Sequence, residues 1–63
     1  MTLYEALKLA NPNNYVIIAW LDGEIEEKAY HLLYYREDLH NRMVEKIFID
    51  NGILGFYISK EEI

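Results

Sequence analysis

The chain has 63 residues, which is one domain near the lower limit for a single hydrophobic core without cross-links. It contains no cysteine, so disulfide staples and thiolate metal sites are excluded, and no apolar run approaches the length of a membrane span. Eleven Asp and Glu against six Lys and Arg leave a net charge of −5, which disfavours direct binding to a phosphate backbone and favours a basic partner.

Thr2-Leu3-Tyr4-Glu5 fits a capping box, in which Thr2 caps a helix and Glu5 reaches back to the Thr2 amide. Leu3, Ala6, Leu7 and Ala10 then fall on one stripe, with Tyr4, Glu5 and Lys8 on the outer side. Asn11-Pro12-Asn13-Asn14 ends the helix, because Pro12 disfavours helical backbone at Asn11 and cannot donate to the ladder.

Tyr15 to Leu21 is β-branched and aromatic and reads as a strand; Asp22-Gly23 turns it into a second, from Glu24 to about Tyr30. This turn sets Leu21 opposite Glu24, Trp20 opposite Ile25, Ile18 opposite Glu27, Val16 opposite Ala29 and Tyr15 opposite Tyr30. Val16, Ile18, Trp20, Ile25 and Ala29 form an apolar face interrupted by Glu27, which sits at the rim or pairs with Arg36 or Arg42. The other face carries Tyr15, Ile17, Ala19 and Leu21 with Glu24, Glu26, Lys28 and Tyr30.

The stretch from His31 to Asn41 reads as a crossover with a short helix from about Tyr35 to Asn41. From about Met43 the chain returns to strand, turns at Asn51-Gly52 and runs on to Ser59. Asp50 then faces Ile53, Ile49 faces Leu54, Phe48 faces Gly55, Ile47 faces Phe56 and Lys46 faces Tyr57. Ile47, Ile49, Leu54, Phe56 and Ile58 share a core pattern, and the Phe48 ring can cover the backbone that Gly55 leaves bare. Residues 60–63 read as a frayed tail. The expected fold is a single α+β domain over 1–63: an N-terminal helix packed on an antiparallel sheet of two β-hairpins, joined by a crossover with a short helix.

The residues that carry chemistry are few. His31 and His40 lack the spacing of a metal site, even with Glu37 and Asp38 nearby. Glu24 and Glu26 share one half-exposed face, which suits a solvated strand better than an acid–base pair. Ser59 has no adjacent base, and no glycine-rich loop cradles phosphate. Neither a catalytic residue, a metal nor a cofactor is expected. Tyr15, Ile17, Glu24, Glu26, Tyr30, Phe48, Asp50 and Tyr57 instead gather on the outer faces of the hairpins. Aromatics of this kind can stack nucleobases, but Lys28 and Lys46 are outnumbered by carboxylates, so a protein-binding surface is the better reading.

Met1-Thr2-Leu3-Tyr4-Glu5-Ala6-Leu7 with Asn11-Pro12-Asn13-Asn14-Tyr15-Val16, and the run Asp38-Leu39-His40-Asn41-Arg42-Met43-Val44-Glu45-Lys46-Ile47 before the Asn-Gly turn, form a recognisable set. With the Asp-Gly hairpin between them, they resemble small uncharacterised proteins from phages and mobile elements of Gram-positive bacteria. The aromatic crossover Leu32-Leu33-Tyr34-Tyr35 departs from that pattern. The resemblance carries no catalytic residues. Small acidic proteins of such origin include anti-CRISPR inhibitors, so it implies a non-enzymatic inhibitor or adaptor in the cytoplasm of a bacterial host. Its partner would be the basic surface of a host nucleic-acid-binding effector, with no nucleic acid or membrane bound directly. The alternative is a structural protein whose outer sheet faces pair in a homo-oligomer.

Overall fold

The computed structural model describes residues 1–59, and the tail read over 60–63 lies outside the described residues. Helix α1 (Leu3–Leu9) starts on the expected capping box. The Thr2 N–H donates to Glu5 Oε1 at 2.8 Å, and the Glu5 N–H donates to Thr2 Oγ1 at 3.2 Å. Two more donors at this helix end are taken from a distance: Leu3 N–H by the Arg42 carbonyl at 2.8 Å and Tyr4 N–H by the His40 carbonyl at 3.1 Å. Ala10 leaves the helix in an extended conformation, and the Asn11 side chain accepts from the Asn13 N–H at 3.0 Å to turn the chain at Pro12.

Strands β1 (Tyr15–Trp20) and β2 (Gly23–Lys28) form the first hairpin, but its turn is Leu21-Asp22 rather than Asp22-Gly23. Ile18 faces Ile25, Val16 faces Glu27 and Tyr15 faces Lys28, a slip of two residues from the expected register. Gly23 belongs to the strand because it sits opposite Trp20, whose indole lies 3.1–3.2 Å from where a Cβ would project. A two-residue slip returns every side chain to its original face, so the division into two faces survives.

The second strand does not reach Tyr30. Helix α2 (Ala29–Tyr35) begins there instead, and a single 3₁₀ turn at Glu37–Leu39 replaces the helix expected over 35–41. Lys28, the residue before α2, offers no side-chain cap. Two of the helix's first donors are satisfied by the Pro12 loop: Ala29 N–H donates to the Asn14 carbonyl and Tyr30 N–H to the Pro12 carbonyl, both at 3.0 Å. Each helix thus starts where a remote loop supplies acceptors.

Strands β3 (Val44–Asp50) and β4 (Ile53–Ile58) pair in the expected register from Lys46–Tyr57 to Asp50–Ile53. Asn51 and Gly52, at φ 53° and 79°, are the residues of positive φ among those described, as a type I′ turn requires. A bulge at Glu45 lets Val44 face Ile58. The strand order is β2-β1-β4-β3, and β1 runs parallel to β4, with Val16 beside Leu54 and Ile18 beside Phe56. The sheet is therefore mixed, not purely antiparallel. Each hairpin is antiparallel, but the helical crossover returns the chain so that the two hairpins join through strands of the same direction. These inner strands hold Val16, Ile17, Ile18, Gly55, Phe56 and Ile58, which are all buried.

The core lies on one side of this sheet. Leu3, Ala6 and Leu7 of α1, Ala29 and Leu32 of α2, and Leu39 of the 3₁₀ turn pack on Val16, Ile18, Phe56 and Ile58. The helices stop short of the outer half of β3, so Ile47 and Ile49 stay 62% and 66% exposed. Both point to the core face, as their alternation requires, but neither is part of the core. Among the described residues, no helix is long and apolar enough to cross a membrane.

Candidate functional site

The helix-free face of the sheet is built by the odd-numbered residues of β1 and β4, the even-numbered ones of β2 and, beyond the bulge, the even-numbered ones of β3. One row across it runs Glu26, Ile17, Gly55, Phe48, and the next runs Glu24, Ala19, Tyr57, Lys46. Tyr15 beside Lys28 and Ile53 beside Asp50 complete its third row. Seven of the eight residues expected at a partner surface therefore share this face.

Their exposure separates them. Tyr15 is 52% accessible, and Glu24, Glu26 and Asp50 are exposed, whereas Ile17 is only 5% accessible. Ile17 occupies an inner strand beside glycine, where it serves as a floor rather than a contact. Phe48 and Tyr57 are half-buried, and the Phe48 ring leans over Gly55 so closely that any Cβ there would collide with it.

Tyr30 is the exception. It lies on α2, not across from Tyr15, because the strand ends at Lys28. The two tyrosines are nevertheless linked: the Lys28 ammonium sits 5.8 Å from the Tyr15 ring centre and 5.9 Å from that of Tyr30. Such cation–π contacts hold Lys28 at the edge of the face and occupy one of its two cations. The carboxylates Glu24 and Glu26 stand together on edge strand β2, with exposed Asp22 at its turn.

Several ionisable groups away from this face are occupied locally. Glu27 lies at the rim, where its Oε1 is 3.9 Å from His31 Nδ1, and it does not pair with Arg36 or Arg42. Arg36 instead makes a two-pronged contact with Asp38, Nε to Oδ1 at 3.0 Å and Nη2 to Oδ2 at 2.9 Å. That contact holds the Asp38 carboxyl below its ordinary value and raises Arg36. His40 Nε2 donates to the Leu32 carbonyl at 3.1 Å, and its ring packs 5.0 Å from that of Tyr4. The two histidines thus serve different contacts, and among the described residues no group of three His, Cys, Asp or Glu converges on a point that could hold a metal. Ser59 Oγ accepts the Met43 N–H at 3.1 Å, where it ties the end of β4 to the start of β3.

An open cleft of about 480 Å³ adjoins the face at Tyr15 and Glu26. Its walls are the Asn11–Asn14 loop and the Asn51-Gly52 turn, brought together by the parallel pairing of β1 and β4. Both turns are legible in the sequence, but no local signal places them side by side. A second surface lies on the opposite side of the sheet, where Met1, Leu9, Ala10 and Ile47 border a shallow apolar groove of about 220 Å³ over Leu54 and Phe56. Comparison of the chain with protein-family models, with curated proteins and with solved structures found no match.

Proposed function

We propose that the chain is a non-enzymatic protein-binding module whose helix-free sheet face docks on a basic protein surface. The supporting observation is the grouping on that face of exposed Tyr15, half-buried Phe48 and Tyr57, and the carboxylates Glu24, Glu26 and Asp50. Tyrosines anchor well at interfaces because each brings a large, stiff surface with a polar tip, while carboxylates steer a cationic partner and suppress wrong ones. On β2 the exposed carboxylates Glu24 and Glu26 outnumber the one cation, Lys28, which is held between two tyrosines. The resemblance to small phage and mobile-element proteins gives this reading a setting: an inhibitor, like the anti-CRISPR proteins, that covers the nucleic-acid groove of a host defence protein in the bacterial cytoplasm.

The test uses the intact chain as bait in a lysate of a Gram-positive bacterium. A basic, nucleic-acid-binding protein should be retained at low salt and released as salt rises, and Glu24→Lys with Glu26→Lys should abolish retention. Retention indifferent to both charge reversals at low salt would overturn the reading.

A further inference from the structure

The two edges of the sheet differ in a way that separates what each can pair with. An edge strand presents unpaired backbone groups, and natural proteins block such edges with charge, bulges or covering elements. The β2 edge is guarded by negative charge, with Glu24 and Glu26 both exposed on it. An antiparallel copy of β2 centred on Ile25 would set Glu24 against Glu26, repelling at both ends.

The β3 edge has the opposite character. Its start is closed, since the Val44 N–H donates to the Met1 carbonyl at 2.9 Å and Thr2 bridges Met43. Beyond the bulge it opens. The Asp50–Ile53 pair closes a two-residue turn and exchanges both of its hydrogen bonds, so by alternation Lys46, Phe48 and Asp50 turn their backbone groups to β4. Ile47 and Ile49 turn theirs outward, and their side chains are the exposed apolar ones on the core face.

We propose that two copies of the chain pair edge to edge through β3, antiparallel and centred on Phe48, to form one continuous sheet. The segment Lys46-Ile47-Phe48-Ile49-Asp50 is complementary to itself in that register. Lys46 meets Asp50 of the second copy twice, by symmetry, on the helix-free face. Ile47 meets Ile49 of the second copy twice on the core face, with the backbone of both directed at the partner. Phe48 faces Phe48. Neighbouring symmetric registers fit worse: centring on Ile47 sets Ile49 against Glu45, and centring on Ile49 sets Ile47 against Asn51.

Length agrees as well. The partner strand ends at its own Asn51-Gly52 turn where Met1 closes the edge at Val44. The joined copies extend the apolar surface of Ile47 and Ile49 beside the groove at Met1 and Leu9; on the helix-free face they take up Asp50 and leave Tyr15, Tyr57, Glu24 and Glu26 open on both.

Sedimentation velocity of the full chain tests this. The unaltered protein should sediment as a dimer. Lys46→Asp and Asp50→Lys should each raise the dissociation constant about tenfold or more, and the two together should restore it, since the pair is re-formed with its signs exchanged. Ile47→Pro removes an outward N–H that β4 does not use and should yield a monomer with unchanged helical circular dichroism. Tyr57→Ala should leave the dimer intact. A monomeric unaltered protein, a dimer that survives Ile47→Pro, or one dissociated by Tyr57→Ala but indifferent to Lys46→Asp would each overturn the proposal.

Discussion

Gly55 and Gly52 stand three residues apart in one hairpin and are constrained for different reasons. At Gly55 the limit is space, because a Cβ would meet the Phe48 ring. At Gly52 the limit is backbone conformation, since φ is +79° and no other atom stands nearby. Gly55→Ala is expected to cost about 1–3 kcal/mol by overpacking, and most of that loss should disappear when Phe48 is also alanine. Gly52→Ala should cost about 1 kcal/mol whatever stands at 48. Urea midpoints of the single and double variants check both. Glu5 gives a prediction in pH. Its bonds to the Thr2 amide and hydroxyl hold its carboxyl below the ordinary value of 4.5. A lowered folded-state value contributes stability that is present above about pH 4.5 and lost as acidification passes through the folded value. Glu5→Gln should therefore flatten this part of the stability profile below pH 4.5 while leaving the rest in place, as thermal melts across the acid range would show.

At the scale of elements, what the sequence discloses depends on whether a signal is local. The capping box of α1 and the register of β3 and β4 from the turn to Lys46–Tyr57 were legible, because Thr2, Glu5, Asn51, Gly52 and the Phe48–Gly55 pair all act within a few residues; the bulge at Glu45 was not. Helix α2 was not. Lys28 carries no cap, and the acceptors for Ala29 and Tyr30 come from Asn14 and Pro12, which no local pattern reveals. The first hairpin slipped because Asp22-Gly23 has turn chemistry, yet covering Gly23 with the Trp20 indole outweighed it. The period of two protected the inference about faces from that error. Within α2, Leu32 is wholly buried and Leu33 only partly so. Leu32→Ala should cost about 2–5 kcal/mol and Leu33→Ala clearly less, measured by chemical denaturation.

For the whole molecule, the sheet's two sides and two edges each have a different exposure. The candidate site was legible as a set of residues on one face, but not as a surface with relief. Alternation placed Tyr15 and Ile17 together; only the parallel pairing of inner strands shows that one projects and the other is a floor. Tyr15→Ala should therefore weaken partner binding with little effect on stability, whereas Ile17→Ala should lower the denaturation midpoint, costing about 2–5 kcal/mol. Calorimetric titration with the captured partner, paired with a melt of each variant, separates the two.

The parallel junction of β1 and β4 also has a kinetic meaning. Each hairpin closes over a short stretch of chain, but Val16 meets Leu54 and Ile18 meets Phe56 only after the intervening hairpin arm, α2 and β3 are accommodated. Closing that large loop costs entropy before any inter-hairpin contact repays it. The closing of this seam is therefore the expected rate-limiting event of folding. Ile18→Val should slow refolding more than Ile25→Val, an edge change of equal chemistry, when stopped-flow traces of the two are compared.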